Sequence, residues 1–423
     1  MGEDVAATRT VARRKRWFAV ASTAAVRVIG AAMQGISLLV IARLLGPSEF
    51  GAFASVFAVG GFLGILLGFG LTSLLLRVSA YGARAPELAG SSLILGYGAG
   101  ILSGGVAWVA GAYVLGFGNS AAVLAGAAFG TSETVGRVVE SIAFGMQREG
   151  RAQASLIFRR AVLAVALAWT WAQSGDVPAA VIIAVALAGA VAPVWVRGLV
   201  RVRWSGLAVY RLSRRFWLPT VLGRVEGLDT ALASLVLAPA GLGLYAAAGR
   251  VMSPLNILTG SFLSIYTPRL ANASGRAAFD VVFKEARKAL LMVGAGLAML
   301  GPLVGWLLEH VLGSGYAGVA PICMVLVLAV ALGAPSQAYT AAFYATNRTR
   351  VVLYTRVVAV PTGLGLVALL GWTMGPVGAA VGLLVSQLLQ LVGMSLGYRR
   401  GWGGPLEDPA APPSGDSMAR SAD

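Results

Sequence analysis

Apolar runs of about twenty residues recur along the whole chain, and they restrict its fold more than any other feature. A membrane-spanning helix needs about 20 mostly apolar residues. Of the 423 residues, 57% are hydrophobic and 12% are charged, whereas soluble domains carry about 25% charged residues. The runs do not alternate between apolar and polar residues, as the strands of a membrane barrel do. The sequence therefore predicts an all-α polytopic membrane protein.

We divide the apolar runs into twelve predicted spans. The longer runs exceed the thickness of the hydrocarbon layer, so they tilt or extend beyond it. Because twelve is an even number, both ends of the chain lie on one side of the membrane. The predicted spans are 18–45, 50–76, 88–116, 120–146, 155–174, 178–200, 216–238, 242–267, 286–308, 318–345, 351–372 and 376–398.

The positions of the basic residues indicate which side that is. Of the 33 lysine and arginine residues, 28 lie near the termini or in the connections that follow even-numbered spans. This group includes Arg159 and Arg160, which we assign to the connection after span 4. Since cytoplasmic loops carry an excess of basic residues, both termini are predicted to be cytoplasmic.

The net charge of +16 does not indicate binding to nucleic acid. The basic residues are spread over short loops, where they encode orientation and can contact anionic lipid headgroups. Cys323 is the only cysteine and His310 the only histidine. We therefore expect neither a disulfide framework nor a cysteine or histidine metal centre.

A short motif occurs twice and indicates an internal repeat. Residues 47–53 read PSEFGAF and residues 239–245 read PAGLGLY, which share the pattern Pro-x-x-apolar-Gly-x-aromatic at an offset of 192. Arg77 and Arg269 recur at the same offset. A repeat of six spans keeps both halves in one orientation, and such parallel repeats place the substrate site between them.

This repeat divides the chain into two membrane domains with basic segments around them. The predicted organisation is a basic cytoplasmic segment at 1–17, an N-terminal six-helix bundle at 18–200, a basic cytoplasmic linker at 201–215, a C-terminal six-helix bundle at 216–398 and a disordered cytoplasmic tail at 399–423.

Few charged residues fall inside the predicted spans, and these are the candidate functional residues. An arginine or aspartate at mid-bilayer costs about 2.5–3.5 kcal/mol on insertion scales, so it normally faces a partner or a water-filled cavity. We set Arg43 aside because it lies near the outer edge of span 1. The candidates are Arg27, Arg137, Arg224, Arg250, Glu133, Glu140, Glu226 and Asp229.

The acidic candidates fall into two groups. Glu133 and Glu140 share one face of span 4 with Arg137, which can pair with either of them in a structural ladder between helices. Glu226 and Asp229 on span 7 are i, i+3 neighbours. Close like charges out of water suit a proton or sodium site, although simple pairing with an arginine fits the spacing equally well.

Arg27 on span 1 and Arg250 on span 8 have no acidic neighbour within a helical turn. An unpaired arginine in a cavity favours an anion, and a diphosphate fits because guanidinium binds phosphate oxygens bidentately and stays charged. The same residues can instead form ion pairs across a cavity with Asp229, Glu226 or Glu133.

Five motifs occur in a fixed order along the chain. They are ARLLGPSEFG at 42–51 and Gly70-Leu71 with Arg77 in the first half, and Asp229, GLYAAAGR at 243–250 and PRL at 268–270 in the second. In these motifs the chain resembles the polysaccharide (O-antigen type) flippases of the multidrug/oligosaccharidyl-lipid/polysaccharide exporter superfamily, over about residues 17–398.

The resemblance implies two six-helix bundles that face each other in a V, in the bacterial cytoplasmic membrane. It implies a flippase for an undecaprenyl-diphosphate-linked oligosaccharide, which works with glycosyltransferases and a polysaccharide polymerase. Related flippases place arginines of spans 1 and 8 in the central cavity, where Arg27 and Arg250 match approximately. We expect no cofactor beyond Na+ or H+ as a coupling ion, and membrane lipids as the other partners.

Three other functions have sequence features that argue against them. Drug exporters of the same superfamily often bind a cation through an acid on span 1 or span 7; span 1 has none, but Asp229 keeps a cation-coupled antiporter as the alternative. A membrane glycosyltransferase needs acid–base groups on large outer loops, and the predicted outer loops are a few residues long. A purely structural scaffold does not account for charges within the spans.

Overall fold

The computed structural model describes the backbone of residues 2–201, 203, 205–222, 224–346 and 348–400, and their side chains apart from those of 2–25, 27, 219, 222, 226, 257 and 264. The predicted disordered tail lies, from residue 401 onward, outside the described residues. The helices are α1 (Gly2–Leu67), α2 (Leu71–Leu75), α3 (Ala85–Val109), α4 (Ala121–Gly145), α5 (Glu149–Gln173), α6 (Val177–Val191), α7 (Gly206–Leu222), α8 (Asp229–Ala233), α9 (Pro239–Ala271), α10 (Arg276–Leu312), α11 (Val319–Ala345) and α12 (Thr349–Arg399).

Two of these helices each contain two of the predicted spans. α1 breaks at Gly46, with φ 76°, and α12 breaks at Gly375, with φ 70°. Each glycine is followed by a proline, which cannot continue the hydrogen-bond ladder of the preceding helix. The seventh predicted span is interrupted instead, since a 3-10 turn at Val225–Leu228 separates α7 from α8.

Seven stretches of the described chain are long and apolar enough to cross a membrane, and α1 and α12 are among them. α4 and α9 are not among these seven stretches, and α8, with five residues, is too short to cross alone. If the two arms of α1 and of α12 are counted separately, α2 is counted with the second arm of α1, and α8 is counted with α7, the described residues form the twelve helical spans expected from the sequence. The predicted all-α polytopic fold, with two six-helix bundles in a V, is confirmed.

α1 to α6 form the first bundle, and α7 to α12 provide the second. α7 begins at Gly206, within the segment predicted as a linker, and its C-terminal half packs on the first bundle. Trp217 Nε1 donates to the carbonyl of Leu66 at 2.9 Å, and the hydroxyls of Ser73 and Thr220 lie 3.0 Å apart. α7 therefore lies against the first bundle, and the chain reaches the second bundle at α8.

The two copies of the repeated motif pack against each other at one end of the molecule. A Cβ on Gly51 would overlap the carbonyl of Pro239, and a Cβ on Gly243 would overlap the carbonyl of Pro47. Only glycine allows the two backbones to come this close. The sequence repeat thus corresponds to a two-fold relation between α1 and α9, and the contact joins the two bundles.

Reciprocal hydrogen bonds strengthen the same contact. Tyr316 Oη donates to the carbonyl of Ala42 at 2.7 Å, and Arg43 Nη1 donates to the carbonyl of Val311 at 2.6 Å. One bond runs from the second half to the first, and the other runs in the opposite direction. We call the contact formed by the 47–53 and 239–245 motifs and these two bonds the closed end.

The largest hydrophobic core extends from the closed end into both bundles. Phe50, Phe53, Leu242 and Tyr245, all from the repeated motifs, are almost completely buried in it. Cys323 is buried in the same core. The V therefore has its apex at the closed end, and the space between its arms is the cavity described below.

Replacing Gly243 by valine is expected to open the closed end. Overpacking costs about 1–3 kcal/mol, which changes a two-state equilibrium by about 5- to 150-fold. The measurement uses a Cys323→Ser background in which Ser253, a cavity residue, is replaced by cysteine. A membrane-impermeant maleimide is added from the side of the closed end, and the rate at which it labels this cysteine is recorded. Labelling should accelerate in the Gly243→Val variant. Gly365→Val is the control, because a Cβ there meets nothing within 4 Å; equal labelling in both variants would contradict the assignment.

Candidate functional site

A buried chain of ion pairs joins α4 to α5. Arg160 contacts both oxygens of Glu133, with Nη1 at 2.5 Å and Nη2 at 3.1 Å. Arg159 Nη1 lies 3.3 Å from Glu133 Oε1, and its other terminal nitrogen donates to Glu140. Both arginines are about 5% exposed. Antiparallel helices bring these residues together, since Glu133 lies 12 residues before the end of α4 and Arg159 lies 10 residues after the start of α5.

This arrangement corrects two expectations from the sequence. Arg159 and Arg160 are not in a cytoplasmic connection but well inside α5, where they pair with acids of the bundle. Glu133 and Glu140 pair with these two residues, so the predicted pairing of Arg137 with either acid is wrong. The sequence did contain a signal for the observed pairing. Residues of two consecutive spans that lie at similar distances from the short turn between them lie at similar depths in the membrane and can therefore meet.

Arg137 instead faces the space between the bundles. Its Nε donates to the carbonyl of Glu133 at 3.2 Å. A Cβ on Gly61 of α1 would lie 3.9 Å from Arg137 Nη2, so the guanidinium reaches toward α1. Among the described side chains, no carboxylate lies within 4.0 Å of it.

The cavity between the bundles has two connected lobes of about 480 Å³ each. Both lobes are lined by Ile65, Arg137 and Arg224, which therefore mark their junction. Arg224 occupies this position because α7 ends just before it and the backbone turns into the 3-10 segment. We call the lobe lined by several hydroxyl groups the hydroxyl lobe, and the lobe that contains Asp229 and Arg250 the charged lobe.

The hydroxyl lobe lies among α1, α2, α3, α4 and α7. Two aromatic rings, from Phe144 and Phe216, line it together with several hydroxyl groups. Glu140 also reaches its wall, but its carboxylate is bonded to Arg159. The hydroxyl groups are those of Thr72, Ser73, Thr134, Ser141 and Thr220.

Arg250 is the main cation of the charged lobe. Its guanidinium carbon lies 5.1 Å from the centre of the Phe57 ring, across the interface between the bundles. Such a contact is a weak cation–π attraction. Arg250 Nε is buried without a hydrogen-bond partner, and no described carboxylate lies within 4.0 Å of the guanidinium. Asn256 and Gln387 add amide groups to the same lobe.

Asp229 is the acid of the charged lobe. It is the first residue of α8, and its Oδ2 accepts a hydrogen bond of 2.8 Å from Tyr245 Oη. Tyr245 belongs to the second copy of the repeated motif, and it is 1% exposed. The closed end and the charged lobe are thus linked by one hydrogen bond.

Two sequence candidates cannot be placed in the site. The side chains of Arg27 and Glu226 lie outside the described residues, although their backbones belong to α1 and to the 3-10 turn before α8. The described cavity therefore contains Arg137, Arg224 and Arg250 against Asp229, with Glu140 already paired. Its net charge is positive, and it suits an anion with several oxygen atoms.

Solved membrane transporters share this fold. A multidrug resistance MATE family transporter of the MOP superfamily, in an inward-facing conformation, superposes with a TM-score of 0.67 at 16% identity, covering 88% of this chain and 94% of that one. Lipid II flippase MurJ in an inward closed conformation gives 0.71 at 13% identity, covering 89% and 87%. The eukaryotic MATE transporter AtDTX14 gives 0.60 at 17% identity, covering 89% and 94%.

Sequence comparison gives no further assignment. No protein-family description matches the chain, and no curated protein matches it. At these identities the similarity to solved structures concerns the fold. The chain therefore has the transporter fold of the MATE proteins and MurJ, as its motifs predicted.

Proposed function

We propose that the chain is a flippase, which moves a polyprenyl-diphosphate-linked oligosaccharide from the inner to the outer leaflet for the synthesis of cell-surface polysaccharide. The observation that best supports this proposal is that three guanidinium groups line the cavity. No carboxylate among the described side chains lies within 4.0 Å of any of the three. The three groups belong to Arg137, Arg224 and Arg250.

The physical requirement of the reaction matches these features. Polar and charged groups cost several kcal/mol or more each in hydrocarbon, so a diphosphate and its sugars need a polar, cationic route. Guanidinium binds phosphate oxygens strongly and remains charged at every physiological pH. The prenyl tail needs no such route and stays in the lipid between the arms of the V.

The two lobes suit the two polar parts of this substrate. Arg250 in the charged lobe and Arg137 and Arg224 at the junction serve the diphosphate. The hydroxyl groups and the rings of Phe144 and Phe216 in the other lobe serve the sugars, whose hydroxyls need hydrogen-bond partners and whose apolar faces stack on aromatic rings.

Transport by alternating access requires that the closed end separate while the opposite end closes. The affinity must be similar in the two states, because a carrier that binds much better in one is held there. With the orientation that the basic loops predict, the closed end faces away from the cytoplasm and the cavity receives substrate from the inner leaflet of a bacterial cytoplasmic membrane.

The alternative is a cation-coupled antiporter for drugs, and Asp229 is the observation in its favour. An acid on the cavity wall can hold Na+ or H+ in either mechanism. In a flippase it would couple a gradient to the return of the empty carrier. In an antiporter it would exchange directly with a cationic drug, and the three nearby arginines would oppose that drug electrostatically.

Reconstituted vesicles distinguish the two functions. We expect the protein to translocate a fluorescent undecaprenyl-diphosphate disaccharide. An undecaprenyl alcohol of equal length with the same label should cross the bilayer no faster than it does in vesicles without protein. Efflux of ethidium driven by a sodium or proton gradient, without translocation of the diphosphate lipid, would overturn the flippase proposal. Partner glycosyltransferases and a polymerase are expected before and after this step.

A further inference from the structure

The ion pairs between α4 and α5 form a chain that is electrically neutral. It runs from Arg160 to Glu133, then to Arg159 and finally to Glu140. Two positive and two negative groups alternate, so both acids are neutralised. Arg137, which lies on α4 between these acids, is left as the one surplus cation of this described cluster.

Glu140 would be the natural partner of Arg137 if it did not already pair with Arg159. It is three residues further along α4, and side chains at i and i+3 are neighbours on one helix face. Both residues line the hydroxyl lobe. The bond from Arg159 holds the Glu140 carboxylate on the α5 side of the helix, which leaves the Arg137 guanidinium for the cavity.

We propose that Arg159 is a positioning residue, which holds Glu140 away from Arg137 so that this guanidinium stays open to an anion. The role in substrate binding rests on the proposed function, whereas the pairing itself does not. Arg159 is not among the described residues that line either lobe, so its role would run through Glu140 and Arg137.

Gly136 provides the space that this arrangement needs. A Cβ at this position would overlap the guanidinium of Arg159. An alanine there would therefore push the charged group from its place between the two acids without removing any charge. This offers a second variant that perturbs the same contact by shape alone.

The first test measures how accessible the Arg137 guanidinium is. In purified protein, phenylglyoxal modification of Arg137 is followed by peptide mass spectrometry. Arg159→Met should slow the modification about tenfold, which corresponds to a new ion pair of about 1.4 kcal/mol. Arg159→Met/Glu140→Gln should restore the wild-type rate, because the amide cannot neutralise Arg137. A merely structural role for Arg159 predicts no such rescue, and an unchanged rate in Arg159→Met would overturn the proposal.

The glycine variants repeat this test if Arg159→Met does not fold. Gly136→Ala should slow modification of Arg137, and Gly136→Ala/Glu140→Gln should reverse the effect. Gly98→Ala is the matched control, because a Cβ at Gly98 meets nothing within 4 Å. Equal rates in Gly136→Ala and Gly98→Ala would count against the proposal.

Binding of undecaprenyl diphosphate separates this inference from the proposed function. If wild-type protein binds the lipid, Arg159→Met should bind it about tenfold more weakly, and the double variant should bind normally. If the wild type does not bind the lipid while Arg137 reactivity follows the pattern above, the flippase proposal fails and the positioning role stands.

Discussion

Replacing Arg250 by glutamine should weaken the binding of undecaprenyl diphosphate by about 10- to 100-fold. A hydrogen bond to a charged group contributes about 1.5–3 kcal/mol, and about 1.4 kcal/mol corresponds to a factor of ten in affinity. Glutamine keeps much of the length and a hydrogen-bond donor but removes the charge. The initial rate of lipid translocation should fall by a similar factor, since the substrate then enters the cavity less often.

Conservative and distant variants make this prediction specific. Arg250→Lys keeps the charge but loses the bidentate fork, so its binding should lie between those of the wild type and the glutamine variant. Arg84→Gln removes an exposed arginine outside the cavity, and it should bind like the wild type. Affinities for undecaprenyl diphosphate, measured at one ionic strength for all four proteins, provide the comparison. Equal affinity of wild type and Arg250→Gln would rule out Arg250 as a phosphate ligand.

Replacing Glu133 by methionine should destabilise the protein by about 3–5 kcal/mol. Removing one partner of a buried ion pair leaves an uncompensated charge, and this penalty exceeds the worth of the pair itself. Glu133 bonds to both Arg159 and Arg160 in the interior. Only one of these arginines then keeps an acidic partner, since Glu140 bonds to Arg159. Reversible unfolding by SDS in mixed micelles measures the change in the free energy of unfolding.

A charge-balanced double variant is the matched comparison. Glu133→Met/Arg160→Met removes one acid and one base and keeps the pair of Arg159 with Glu140, so it should recover most of the lost stability. Glu87→Gln breaks the exposed pair with Arg203 and should cost less than about 1 kcal/mol. If the double variant is as unstable as Glu133→Met, the chain of ion pairs is not what stabilises the contact between α4 and α5.

The spans and their pairing into two halves were readable from the sequence for simple reasons. Hydrocarbon requires long apolar runs, and these are visible without any knowledge of packing. The repeated motif indicated two related halves, and the structure shows that Gly51 and Gly243 of its two copies lie at a close backbone contact, which needs glycine. Arg250 was identified because an arginine without a local acid stands out in an apolar span.

The partners of the charged residues were not readable in this way. Glu133 and Glu140 have Arg137 as their neighbour in sequence, yet they bond to Arg159 and Arg160 of the next helix. Spacing along one helix says which residues share a face, but not which helix that face meets. The count of basic loop residues placed Arg159 and Arg160 in the connection after span 4, although the predicted span 155–174 already contained them.

The sequence by itself determined that this chain lies in a membrane, that it crosses about twelve times and that its halves are related. These properties follow from the composition of the chain and from the spacing of its apolar runs and repeated motif. Each of these can be read segment by segment along the sequence. The tertiary structure alone decided which arginines are neutralised inside a bundle and which face the cavity. That outcome depends on the rotation and depth of each helix against its neighbours, and these are set by packing between segments that are distant in sequence.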